Sequence, residues 1–137
     1  MYQKIIIIGN LGRDPEMRYT PSGQAVTNFS VATNRQYAAA DGQQIKETVW
    51  FRVSAWGRQA ETCNQFLRQG SKVLVEGRLT SDPASGGPRI WTRQDGTPAA
   101  SFEISANTVR FLSTRQEDES YQSATPMDQQ DDDDIPF

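Results

Sequence analysis

Thr48-Val49-Trp50-Phe51-Arg52-Val53-Ser54-Ala55-Trp56 is followed within two residues by Arg58–Gln69, and this junction decides the fold. The first stretch alternates as a half-buried strand does, with Phe51, Val53 and Ala55 on one face. The second changes period. Ala60, Cys63 and Leu67 recur at helical spacing with Phe66 beside them, and Gly70 stands as a C′ cap, so a helix is predicted over 58–69.

Working outward, Val73–Leu79 reads as a strand with Val73, Val75 and Leu79 on one side and Gly77 allowing a bend. Ile90–Arg93 and Ser101–Leu112 form a last pair around Asp95-Gly96, a common hairpin dipeptide. Upstream, Val26–Thr33 puts Phe29 and Val31 on one face, and Lys4–Ile8 is a compact aliphatic run closed by Gly9-Asn10-Leu11-Gly12. Asp14-Pro15, Pro21-Ser22-Gly23 and Asp41-Gly42 supply turns. The predicted class is all-β: five short strands with one helix between the third and fourth, the pattern of the partly open Greek-key barrel called the OB-fold. A small β-sandwich would want more strands and would not need the helix.

A chain of 137 residues suits one modest domain, and its 36% hydrophobic content suggests that part of it lies outside a packed core. The composition shifts after Leu112. Residues 1–112 are therefore expected to form the barrel, 113–130 a polar disordered linker, and 131–137 a separate acidic tip. The longest aliphatic run, Ile5–Ile8, is far short of a membrane span or a secretory core, so an intracellular, cytoplasmic location is expected.

Charge is divided unevenly. Residues 1–116 hold all 14 Lys and Arg against 9 Asp and Glu, a net +5; residues 117–137 hold 8 acids and no base, a net −8. A basic body with an acidic tail fits a polyanion-binding domain. The absence of histidine removes Ser-His-Asp and Cys-His catalysis, and a single cysteine, Cys63, excludes an intrachain disulfide and a Cys-based zinc site. Cys63 falls on the apolar stripe of the helix and reads as a core residue. Asp14, Asp82 and Asp95 lie in turns without metal-ligand spacing, so neither a metal nor a cofactor is expected.

On the other face of the 48–56 strand stand Trp50, Arg52, Ser54 and Trp56. Arginine inside a small barrel would be an unpaired buried charge, so this face should point outward. Outward indoles beside a cation form a platform on which bases stack, worth about 1–3 kcal/mol per base. The blander reading is a surface Trp–Arg cluster or a protein interface. The pattern recurs: Arg58 follows Trp56 by two, Arg89 and Arg93 flank Trp91 at two, and Arg35 precedes Tyr37 by two, with Lys4 and Arg78 adding charge on barrel strands. Four aromatics each with a cation two positions away favour a single-stranded nucleic acid, because a duplex hides its base faces.

Ile5, Ile6, Ile7 and Ile8 place aliphatic side chains on both faces of a strand, which suggests self-association over one of them. The tail ends Asp131-Asp132-Asp133-Asp134-Ile135-Pro136-Phe137. A merely solubilising tail needs the acids but not Ile135 and Phe137. A partner with an apolar pocket rimmed by cations could take Phe137 and its carboxylate, with the aspartates steering the encounter.

Gly9-Asn10-Leu11-Gly12-Arg13-Asp14-Pro15-Glu16, the Arg18-Tyr19 pair, the Thr48–Arg58 strand, the Phe66–Ser71 helix end and the Asp131–Phe137 tip together resemble the bacterial single-stranded DNA-binding protein family. The resemblance covers residues 1–112 and the last seven. It implies an OB-fold assembled as a homotetramer on single-stranded DNA in replication, recombination and repair, with a tip that recruits other genome-maintenance proteins. By position, Trp50, Trp56 and Trp91 match the family's stacking sites, Tyr37 stands where tryptophan is usual, and Lys4, Arg52 and Arg58 match basic contacts. Ser81–Pro88 reads as an insertion ahead of Trp91, and the linker is short. The competing readings are an RNA-binding or primosome-type OB protein, a metal-dependent nuclease, and a protein–protein adaptor.

Overall fold

The computed structural model describes residues 1–113. In chain order they form β1 (Ile5–Leu11), β2 (Glu16–Tyr19), β3 (Ala25–Ala38), β4 (Gln44–Trp56), α1 (Gly57–Phe66), β5 (Lys72–Thr80), β6 (Arg89–Thr92) and β7 (Pro98–Phe111). Five strands close a barrel in the order β1-β5-β7-β4-β3 and back to β1, where Asn10 and Leu11 pair with Ala32 and Val31. All these pairings are antiparallel except β4 with β7. The OB-type barrel read from the sequence is thus the observed architecture, with α1 between its third and fourth strands. Apart from Ser113, the linker and the tip fall outside the described residues.

The core is built from the apolar phase of each strand: Ile7 and Leu11 from β1, Phe29 and Val31 from β3, Val53 and Ala55 from β4, Val73 and Val75 from β5, Ile104 and Ala106 from β7. The helix contributes Cys63, and Leu67 just beyond it is buried in the same cluster. Burial of the Cys63 thiol pushes its pKa up to about 12, as expected of a core residue. Thr27 is fully buried, and its hydroxyl donates to the Ala60 carbonyl at 2.6 Å, which ties α1 to β3 without leaving a polar group unpaired. Gly77 sits where β5 shifts register against β7; a Cβ there would run into the Ser105 carbonyl oxygen, so only glycine lets the strands approach.

Four features differ from the sequence reading. β2 was not foreseen, since Glu16-Met17-Arg18-Tyr19 is short, mostly polar and made regular by pairing with Ala25–Asn28. β3 and β4 run on past the barrel as a polar two-stranded arm that extends to Ala38 and begins again at Gln44. The helix ends at Phe66, not Gln69. Leu67 turns extended to bury its side chain, while the Arg68 and Gln69 N–H groups donate to Ser71 Oγ (3.0 Å) and Asp14 Oδ1 (2.8 Å). Gly70 accordingly serves the turn that follows (φ +92°) and donates its N–H to the Leu11 carbonyl, rather than capping α1 as the C′ residue. Among the described residues, no helix is long and apolar enough to cross a membrane.

Candidate nucleic-acid interface

Strand pleating separates β4 into two sets. Phe51, Val53 and Ala55 face the barrel interior; Trp50 and Trp56 stand in solvent at 51% and 39% exposure, with Arg52 exposed between them. Register then fills out the outer face. One row runs Ser30–Arg52–Glu103–Thr80, and the next runs Asn28–Ser54–Ser105–Arg78. Ser54 Oγ donates to Asn28 Oδ1 at 2.7 Å, which fixes the short polar pair between the two indoles. Arg78 therefore shares the face of Arg52 although 26 residues separate them in the chain.

The β6–β7 hairpin adds to the same side. Arg89 pairs with Ser101 and Trp91 with Ala99, positions in phase with Glu103 on the outer face of β7, and Trp91 is 41% exposed. Residues 81–88 close compactly ahead of it: Asp82 exchanges backbone bonds with Gly86 and Gly87, and its carboxylate accepts the Ala84 N–H. At the hairpin tip Asp95 accepts from the Thr97 hydroxyl (2.7 Å) and N–H (3.0 Å), which holds its carboxyl below the usual carboxylate range. Arg93 donates to Thr97 Oγ1 and the Pro98 carbonyl, so it braces the turn.

Trp50 is seated on the β1–β2 loop. A Cβ at Gly12 would lie 2.6 Å from Trp50 Cζ3 and 2.7 Å from Cη2, so the indole rests directly on the Gly12 backbone. The same loop brings Arg13, Asp14 and Glu16 beside Arg52 around a shallow polar cleft of about 120 Å³. At the other end of β4, Arg18 pairs with Val26, and Val26 with Trp56, which places a guanidinium and an indole on either side of a buried valine. Arg13 and Arg18 lack the aromatic–cation spacing that marks most of the other candidates; they are visible in the sequence only within the Gly9–Glu16 stretch and the Arg18-Tyr19 pair of the family resemblance. Arg58, in the first turn of α1, sits at the positive end of a helix with no acid in that turn, so helix and guanidinium reinforce one another.

Tyr37 and Arg35 are not on this face. Register through the β3–β4 arm is unbroken, so Arg35, Tyr37, Ile45 and Glu47 share the phase of Val31 and Phe51, opposite to Trp50. Arg35 lies over the Tyr37 ring, 4.6 Å from its centroid, and pairs with Glu47 at 3.5 Å. Lys4 is likewise partnered, its Nζ 3.9 Å from Glu76. Among the described residues Arg52, Arg58, Arg78 and Arg89 form no ion pair, which leaves four cations with outward charge.

On β1, Ile7 is core and Ile5 packs against it, whereas Ile6 and Ile8 are 54% and 44% exposed. β1 meets β3 only at Asn10 and Leu11, so from Ile5 to Gly9 one edge has no neighbouring strand among the described residues.

Residues 2–112 match the model of the single-strand binding protein family. The chain belongs to that family. It is 40% identical over 115 residues to the single-stranded DNA-binding protein of Wolinella succinogenes, covering 84% of this chain and 67% of that one. It is 42% identical over 115 residues to the protein of the same name from Helicobacter hepaticus, covering 84% and 64%. A deletion variant of the single-stranded DNA binding protein from Thermus aquaticus is similar in structure, with TM-score 0.64 and 31% identity over 82% of this chain and 51% of that one. The match thus spans about two thirds of the relatives' length and half of the solved chain. No metal-holding group of three or more His, Cys, Asp or Glu occurs among the described residues of this family member.

Proposed function

We propose that this chain is a binding protein, not an enzyme, that holds single-stranded DNA with little sequence preference. The observation that carries this reading is the outward face of β4, where two exposed indoles flank an arginine that forms no ion pair among the described residues. Bases stack on Trp50 and Trp56, and on Trp91 across the hairpin, because every base offers a π-face. Arg52, Arg58, Arg78 and Arg89 lie along the phosphates, with Arg13 and Arg18 beside them, so affinity falls as salt rises. Tyr37 and Arg35 extend the surface around the β3–β4 arm, and Lys4 and Arg93 supply charge at its margins. Relatives named for binding single-stranded DNA support this assignment.

The bare edge of β1 and its exposed Ile6 and Ile8 support self-association, with the homotetramer of the resemblance as the proposed assembly. The Asp131–Phe137 tip is proposed to recruit replication, recombination and repair proteins, on the strength of four carboxylates joined to Ile135 and Phe137.

The test is titration of the full chain with oligo-dT while tryptophan emission is followed. Quenching is expected, and Trp50→Ala should weaken binding by about 1–3 kcal/mol. An unchanged emission would remove the stacking face, and stronger competition by an RNA of the same length would redirect the assignment to RNA.

A further inference from the structure

One face of the Tyr37 ring is already occupied. Arg35 and Tyr37 project from the same face of β3 two residues apart, and the guanidinium lies 4.6 Å from the ring centroid, well inside the range of a cation–π contact. Directly across the arm, Glu47 is the register partner of Arg35, and its carboxylate meets the guanidinium at 3.5 Å. The other face of the arm is held separately: Thr48 Oγ1 donates to Asn34 Oδ1 at 2.8 Å. Lys46 pairs with Gln36 on that other face and so does not share Glu47's charge.

We propose that Arg35 and Glu47 form a latch over Tyr37, in which the guanidinium occupies a ring face until a base displaces it and Glu47 sets how readily it leaves. This rests on the single-stranded DNA reading above and concerns one stacking site within it. A base and a guanidinium are both planar and compete for the same face of the ring. When the base arrives, Arg35 exchanges two neutralising contacts, the ring quadrupole and a carboxylate, for a phosphate. Glu47 opposes that exchange twice, by holding the guanidinium and by repelling the phosphate. Both effects are confined to the arm, because the Trp50–Trp56 face lies on the opposite side of the sheet. Glu47 is accordingly a positioning residue: it acts on DNA through Arg35. The arm thereby becomes a conditional stacking site that engages after the open face of β4.

The pair is exposed, with side chains 66% and 42% accessible, so its effect is modest and greatest at low salt. Full-length Glu47→Gln should bind oligo-dT about two- to fivefold more tightly than the parent at low ionic strength, and the gain should shrink as salt is added. In a Tyr37→Leu background the same substitution should give a distinctly smaller gain, the part that comes from lost phosphate repulsion alone. In the DNA-free protein, the Tyr37 ring proton resonances should move in Glu47→Gln as the guanidinium is released, a change that mere removal of a distant charge would not produce. An equal gain with and without Tyr37 would reduce the effect to bulk charge and overturn the latch, as would an unchanged or weakened affinity of Glu47→Gln. If those outcomes came with normal tryptophan quenching by the parent, the latch alone would fail. Absence of quenching in the parent would remove the DNA reading and the latch with it.

Discussion

The Trp50 indole lies on the Gly12 backbone so closely that a single methyl group at Gly12 would fall 2.6 Å from its ring. The β1–β2 loop is not free to retreat. Gly12 N–H donates to the Ser30 carbonyl at 3.1 Å, and Asp14 accepts the Gln69 N–H from beyond the helix. The loop is the floor on which the most exposed candidate indole is held in place, a fixed position that would lower the ordering cost of the proposed stacking.

Gly12→Ala is therefore expected to displace Trp50 rather than the backbone. Oligo-dT affinity should drop severalfold while the urea midpoint stays near that of the parent. In a Trp50→Ala background the added methyl should cost nothing further. A full effect persisting without Trp50 would show that Gly12 matters for some other reason.

Charge on the outer face should be read by salt. Arg52 and Arg78 come from distant segments but lie in adjacent rows of one sheet face. Each replacement by glutamine is expected to lower the slope of log affinity against log salt by about 0.7, the value for one phosphate on a single strand. Arg93→Gln should leave the slope closer to the parent's, because its guanidinium is engaged by Thr97 and Pro98.

Ile6→Glu with Ile8→Glu should disperse the proposed assembly without unfolding the barrel, since both side chains are exposed while Ile7 supplies the core contact. Sedimentation of the double variant is expected to show smaller species than the parent, with unchanged far-ultraviolet circular dichroism. Identical sedimentation would move the interface elsewhere.

Cys63 should be silent near neutral pH. Desolvation raises its pKa from 9.0 to about 12, so the folded thiol stays protonated where an unfolded one ionises. An alkylating reagent at pH 8 should modify it only after denaturant is added. The sign for stability follows from the raised pKa: the contribution is complete below about 9 and is lost as pH climbs from there toward 12. Rapid alkylation of the native protein would place the thiol at the surface instead.

Much of this protein was legible in the linear chain because its signals are local. Two-residue alternation through Thr48–Trp56 set Trp50, Arg52 and Trp56 apart from Phe51, Val53 and Ala55, and the change of period at Arg58 placed one helix among five barrel strands. Strand pleating does not depend on distant partners, so those statements needed no tertiary knowledge. β2 and the polar arm escaped for the opposite reason: Glu16–Tyr19 and residues 34–38 have little apolar pattern and become strands only through hydrogen bonds to a neighbour. The same non-local pairing decided the site. Register put Arg78 on the same face as Arg52, set Arg18 and Trp56 on either side of Val26, and carried Tyr37 to the far face with Arg35 already over its ring. Composition and spacing along the chain determined which residues could grip a base and which neighbours on one strand share a face; closure of the barrel decided which residues of different strands share a surface, because strand neighbours are chosen by hydrogen bonds between segments far apart in sequence.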